Sequence, residues 1–246
     1  MATTAKSAGI VLIGNEILSG KVVDANASYL CRELRALGVE VRRICVVPDE
    51  VEGIAAEVAA QSAAFDVVFT SGGVGPTHDD VTMEGVARAL GVAVVRDPRL
   101  VALLEAFHRG QLNEARLRMA EVPEGAELID AKGLRFPAIA ARNVYVLPGV
   151  PEIFRQKFEA LRERFRESPF HLCSVFVDMA EASLADHLNA LLARHPHLSL
   201  GSYPEFFNPE YKVKVTLESK DPAYVEQAVA DFLQALPTAA VVRVER

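Results

Sequence analysis

Over the first two-thirds of the chain, short β-branched runs alternate with stretches of helical periodicity. AGIVLI (8–13) reads as a strand. In DANASYLCRELRAL (24–37), Tyr29, Leu30, Leu34 and Leu37 recur at helical spacing, and Gly38 follows as a stop. VEVRRICVV (39–47) is a second strand, 50–63 a second helix, and DVVFTS (66–71) a third strand whose unbroken apolar character suits burial on both faces. VTMEGVARAL (81–90) continues as a helix closed by Gly91. NVYVL (143–147) then reads as a strand, and PEIFRQKFEALRERFRE (151–167) as a helix with Pro151 in its first turn. Such alternation predicts an α/β fold, a mostly parallel sheet sandwiched by helices. Ligands of these sheets bind beyond the carboxyl ends of the strands. The loops at 14–20, 48–49, 70–82 and 148–149 all leave strands at that edge.

A boundary falls near Ser168 and Pro169. Beyond it the order is strand (171–179), helix (182–193), strand (198–203), strand (211–219), helix (222–235), strand (239–245). This βαββαβ order predicts a small α+β ferredoxin-like domain. The expected domains are therefore 1–167 and 168–246. The second has few basic residues and no Gly-rich clamp loop, so it reads as a packing or dimerisation domain. Its segment GSYPEFFNPEY (201–211) is a candidate to reach a site. No repeat or low-complexity segment interrupts either domain.

The formal charge of −7 argues against nonspecific nucleic-acid binding, which needs a basic surface. An anionic ligand must then be held by local donors or a metal, against the overall field. No apolar run approaches the ~20 residues of a membrane helix. The N-terminal MATTAKSAGIVLIG looks like an approach to a first strand and not a signal peptide. Cys31, Cys45 and Cys173 are odd in number and widely spaced, against a disulfide scaffold or zinc site. These features fit a reducing cytoplasm.

The densest chemistry lies in TSGGVGPTHDDVT (70–82). Two familiar nucleotide motifs are excluded first. GNEILSGKV (14–22) misses the phosphate-binding P-loop by one residue between its glycines, and Val22 stands where Ser or Thr would hold magnesium. The first strand does not lead into a dinucleotide fingerprint either. Gly72, Gly73 and Gly75 instead allow positive φ and close approach to a ligand. Successive N–H groups there can form a concave nest for phosphate oxygens, aided by the following helix N-terminus. Asp79 and Asp80 would repel phosphate unless a divalent cation bridges the two. The structural alternative makes Asp80 an N-cap for the helix that follows and leaves Asp79 solvated. Asp49, after Pro48, is likewise either an N-cap or a site residue. Glu16, Asp24 and Asn26 admit both readings. Cys31 reads as core in an amphipathic helix. His195 and His197 share one face of a strand but have no third ligand nearby, so they read as surface histidines.

The loop at 70–82, preceded by GNEILSGKVVDANASYL and VVPDEVEGIAAEV, closely resembles the MoaB/MogA-type molybdopterin-binding-like fold of CinA-like proteins. FPAIAARNVYVLPGVPEI and LSLGSYPEFFNPEYKVKVTLES narrow the similarity to the N-terminal, FAD-hydrolase region of eukaryotic FAD synthases, over nearly the whole chain. The resemblance implies hydrolysis of a nucleotide pyrophosphate: ADP-ribose to AMP and ribose 5-phosphate in CinA-type domains, or FAD to FMN and AMP in the FAD synthase relatives. It implies a divalent metal (magnesium, manganese or cobalt) together with potassium, and assembly as a homodimer. In the molybdenum-cofactor branch the same loop binds pterin phosphate.

Carried over by motif position, Asp80 is the first choice for metal binding and water activation, with Asp79 as a second metal ligand and Asp49 in support. Thr70, Ser71, Gly72, Gly73, Gly75, Pro76, Thr77 and His78 would cradle phosphate. Glu16, Asn26, Pro148 and Gly149 would complete the substrate site. Arg142, just before the strand ending in LPG, would neutralise charge developing on the bridging oxygen. Asn15 departs from the aspartate many relatives carry in GDE, so no essential carboxylate is expected there. The adenylyltransferase domain of FAD synthases and the deamidase domain of many CinA proteins have no counterpart in residues 1–246, and neither activity is expected of them. A binding module for molybdopterin or a flavin nucleotide remains an alternative reading. A molybdopterin adenylyltransferase fits the later segments less well.

Overall fold

The computed structural model describes residues 6–130 and 133–246, so residues 1–5 of the N-terminal stretch read above lie outside the described residues. The chain divides between Glu167 and Ser168 into two compact units.

The first unit runs through β1 (Ser7–Ile13), α1 (Asn15–Leu18), α2 (Asn26–Ala36), β2 (Glu40–Val47), α3 (Val51–Ala64), β3 (Val67–Ser71) and α4 (Thr82–Leu90). It continues with β4 (Val94–Arg96), α5 (Pro98–His108), α6 (Glu114–Arg118), β5 (Glu121–Pro123), β6 (Glu127–Ile129), β7 (Ala138–Ala141), β8 (Val144–Leu147) and α7 (Pro151–Leu161). Six strands form one sheet in the order β2-β1-β3-β8-β7-β6. β2, β1, β3 and β8 are parallel, and β7 and β6 extend the sheet antiparallel. The fold is thus the mostly parallel, helix-covered sheet that the alternation predicts.

Strand alternation sends neighbouring side chains to opposite faces. Ile10, Leu12 and Phe69 pack with Leu30 and Leu34 of α2 and with Phe154 and Phe158 of α7. Val11, Ile13 and Val68 pack on the other face with Ile54 and Val58 of α3, Val86 of α4, and Leu100 and Leu104 of α5. Two boundaries differ from the periodic reading. α2 starts at Asn26 because the Asp24 carboxylate accepts hydrogen bonds from the N–H groups of Asn26 (3.1 Å) and Ala27 (2.9 Å). α7 ends at Leu161 and tightens into a 3-10 turn over Arg162–Phe165. The turn drops Phe165 into a ring cluster, 5.0 Å from Phe69 and 4.8 Å from Tyr145 between centroids.

The second unit comprises β9 (His171–Val177), α8 (Glu181–Arg194), β10 (Ser199–Pro204), β11 (Val213–Ser219), α9 (Pro222–Ala235) and β12 (Val241–Glu245). Its antiparallel order, β10-β11-β9-β12, is the ferredoxin-like arrangement. Leu184, Leu188 and Leu191 of α8 and Val225, Val229 and Phe232 of α9 cover one face of this sheet. The surface assignment of His195 is corrected here. His195 ends α8, lies 6% exposed, and its Nε2 is 3.0 Å from Asp231 Oδ2. His197 is exposed, and neither histidine lies in a strand, because the chain turns at Pro196 before β10 begins. Among the described residues, no helix is long and apolar enough to cross a membrane.

Candidate functional site

Because β1, β3 and β8 are parallel, the loops after them meet at one sheet edge. Hydrogen bonds fasten them there. Gly14 N–H donates to Val47 O (3.2 Å) and Gly72 N–H to Leu147 O (3.2 Å). Asn15 N–H donates to the Asp49 carboxylate (2.8 Å). Buried Asn26 donates from Nδ2 to Ser71 Oγ (2.9 Å) and to Gly149 O (2.8 Å). Asn26, Ser71 and Asp49 therefore hold the edge together from behind. Thr70 is wholly buried within β3.

Gly72 and Gly73 have φ of +114° and +59°. A Cβ on Gly72 would sit 2.1 Å from Ile13 O, and one on Gly73 would sit 2.4 Å from Thr82 Oγ1. Gly75 keeps an ordinary φ, contrary to expectation, and is small for a different reason: a Cβ there would sit 2.7 Å from Asp80 Oδ2. Thr82 closes the turn, its hydroxyl donating to Gly72 O (2.8 Å) and its N–H to Gly73 O (3.1 Å). The N–H groups of Gly73, Val74 and Gly75 make no hydrogen bond among the described residues. Three successive unpaired donors in a turn form the concave nest that anions occupy.

Asp80 turns back into this loop. Its Oδ2 accepts from Thr77 N–H (2.8 Å) and from the Thr77 hydroxyl. It does not cap α4, whose N-cap is Val81 and lacks a side-chain bond. Asp79, by contrast, is 58% exposed beside a His78 side chain that is 96% exposed.

A cleft of about 490 Å³ opens over the nest. It gathers Glu16, Gly72, Gly73, Gly75, Asp80, Pro148 and Gly149, all expected site residues. Four others, Pro76, Thr77, His78 and Asp79, stand exposed outside it. Asp49 does not line the cleft, so its part is to position the loop after β1. Arg142 is misplaced by the sequence reading. It sits in the turn between β7 and β8, at φ +52°, and its guanidinium donates to Leu90 O (2.8 Å). That is the amino end of β8, the opposite end of the strand from Pro148.

Two parts of the cleft escaped sequence reasoning. Its far wall is apolar, built by Met83, Leu100, Leu104, Met119, Phe136 and Ile139. The cleft is also lined by Lys157 of α7, mostly buried, with its ammonium donating to Pro137 O. Burial alone pushes its pKa down to about 8. The signal was present in the helix: Lys157 falls between Phe154 and Phe158 on the apolar stripe, where a lysine is out of place. A second compartment of about 310 Å³ shares Gly73, Gly75 and Asp80 but is lined by Glu84, Arg118 and Glu121. The Asp80 carboxylate thus stands between an apolar and a polar recess. Among the described residues, no group of three or more His, Cys, Asp or Glu side chains could hold a metal ion.

Comparison with known proteins places the chain in a family. The family profile described as "Probable molybdopterin binding domain" covers residues 9–167, and one described as "FAD synthase, middle domain" covers residues 169–245. The chain belongs to the molybdopterin-binding-domain family. A protein of Archaeoglobus fulgidus is 37% identical over 92% of this chain and 96% of its own length. A "Probable FAD synthase" of Caenorhabditis elegans is 34% identical over 94% of this chain, which spans only 50% of that relative. The crystal structure of Thermoplasma acidophilum CinA, described as of unknown function, superposes with a TM-score of 0.61 at 32% identity, covering 65% of this chain and 98% of that one.

Proposed function

We propose that the cleft binds a nucleotide pyrophosphate and hydrolyses its phosphoanhydride, releasing AMP from FAD or from ADP-ribose. The observation that carries this reading is the adjacency of three unpaired N–H groups, Gly73 to Gly75, to a carboxylate locked by Thr77. The amides would hold phosphate oxygens and stabilise the charge that accumulates on them in the transition state. Asp80 Oδ1 makes no hydrogen bond among the described residues and shares the cleft with Glu16. These hard oxygen donors fit magnesium, manganese or cobalt, with phosphate and water completing the shell. Such a cation, when bound, would supply charge neutralisation and a more acidic water. Asp80 would orient that water, and Thr77 would keep Asp80 in place. The apolar wall accommodates a flat ring, and a potassium ion is expected to support turnover.

The test is release of AMP from FAD and ADP-ribose with each divalent metal plus potassium. Asp80→Asn is expected to lower turnover about a hundredfold or more. Full activity in that variant overturns the assignment. The apolar wall equally suits a flavin or pterin held without chemistry. Tight ligand binding with no AMP under any metal would favour that second reading.

A further inference from the structure

We infer that Lys157 is the cationic anchor of the cleft, binding a phosphate oxygen of a ligand whose flat ring lies against the apolar wall. The inference rests on the nucleotide-binding part of the proposed function and not on its hydrolytic step. Val150, the N-cap of α7, and Ile153 and Lys157 on the helix follow one another at spacings of three and four, and all three line the cleft. Lys157 lines the same cleft as Gly73, Val74 and Gly75, so one ligand phosphate would meet both the ammonium and the loop amides. Its ammonium donates to the Pro137 carbonyl and has no carboxylate partner among the described residues. The ionisable groups sharing the cleft are Glu16 and Asp80. The walls from α5, β7 and β8 present Leu100, Leu104, Ile139 and Val146. On the α2 side of α7, Tyr29 is bonded to Glu159 (2.7 Å), and neither residue lines the cleft.

A mostly buried ammonium without a counter-ion is costly unless an anion completes it. Its depressed pKa has burial as the sole cause, as expected for a charge awaiting its partner. A purely structural lysine, tying Pro137 in place, would affect stability and leave ligand affinity untouched.

The experiment is a calorimetric titration of the whole chain with magnesium and a methylene-bridged ADP-ribose, which water cannot cleave. It is run between about pH 7 and about pH 9.5, a range in which this lysine changes charge. Wild-type affinity is expected to fall about tenfold across that range. Lys157→Gln should already bind about tenfold more weakly at the lower pH and show no further decline. Lys157→Arg, which stays charged, should bind well at both ends.

A Lys157→Gln variant with the affinity and pH profile of the wild type overturns the anchor, as does a wild type that does not bind the probe. AMP release from ADP-ribose, assayed separately, tells the two ideas apart. Binding with the Lys157 signature and no AMP leaves the anchor and removes the hydrolase. AMP release with an unaltered Lys157→Gln profile does the reverse.

Discussion

Gly72 and Gly91 both adopt positive φ, +114° and +67°, but their surroundings differ. A Cβ on Gly91 would meet nothing within 4 Å, whereas one on Gly72 would sit 2.1 Å from Ile13 O. Gly91→Ala should therefore cost about 1 kcal/mol, the backbone term alone. Gly72→Ala adds an overlap with backbone that cannot move, and should cost about 3 kcal/mol or more. Urea unfolding of both variants checks the difference; equal losses would mean the sheet edge is softer than its hydrogen bonds suggest. Lys157 gives a second prediction. Its folded pKa is depressed from the usual 10.5 to about 8, so between those values the unfolded chain binds more protons than the folded one. Stability contributed by this group must then rise with pH across that window, by roughly 3 kcal/mol at most. Lys157→Met should be more stable than the wild type at neutral pH and the gap should narrow toward pH 10.5. A difference independent of pH would show that the ammonium is better solvated than its burial implies. These residues also mark what can be read from sequence. The glycines and Asp80 announce themselves as a dense local motif. Arg142 misled because adjacency to a strand does not say which end it occupies.

At the level of elements, α3 and α4 pack through Gly85. A Cβ there would lie 2.4 Å from Ile54 Cγ2 and 2.7 Å from Ile54 Cβ, so the helices are as close as backbone allows. Alanine favours a helix over glycine by about 1 kcal/mol, but the overlap costs about 1–3 kcal/mol. Gly85→Ala should be net destabilising, and Ile54→Ala in the same chain should recover part of the loss. Additive losses in the thermal midpoints of the single and double variants would refute direct contact as the cause. The elements that meet in this packing were legible, since α3 and the parallel strands carry sustained apolar patterns. The cleft's apolar wall was harder to see. It is assembled from Met83 of α4, Leu100 and Leu104 of α5, Met119 at the end of α6, and Phe136 and Ile139 at β7, a strand of four residues too short for periodicity to register. The place of β7 is fixed by its pairing between β6 and β8 and not by its own sequence. What the sequence could not convey was that Phe136 and Met119 converge on the same cleft as the glycine loop.

At the scale of the whole molecule, each unit has its own core. Every buried residue of the second core lies between Cys173 and Leu236, and every residue lining the cleft lies between Glu16 and Lys157. Two independent cores predict two folding units. Residues 168–246 expressed alone should unfold cooperatively, as followed by circular dichroism in urea. The segment at 201–211 offers a sharper question, because Phe206 and Phe207 are 86% and 99% exposed there. If the cleft is complete within the first unit, residues 1–167 alone should bind the methylene-bridged ADP-ribose within about threefold of the whole chain. A loss of about tenfold or more in the fragment would refute that confinement. Phe206→Ser with Phe207→Ser in the whole chain should leave that affinity unchanged. A fragment that binds fully, with an unaffected double variant, would confine recognition to the sheet edge where the glycine loop, Asp80 and Lys157 converge.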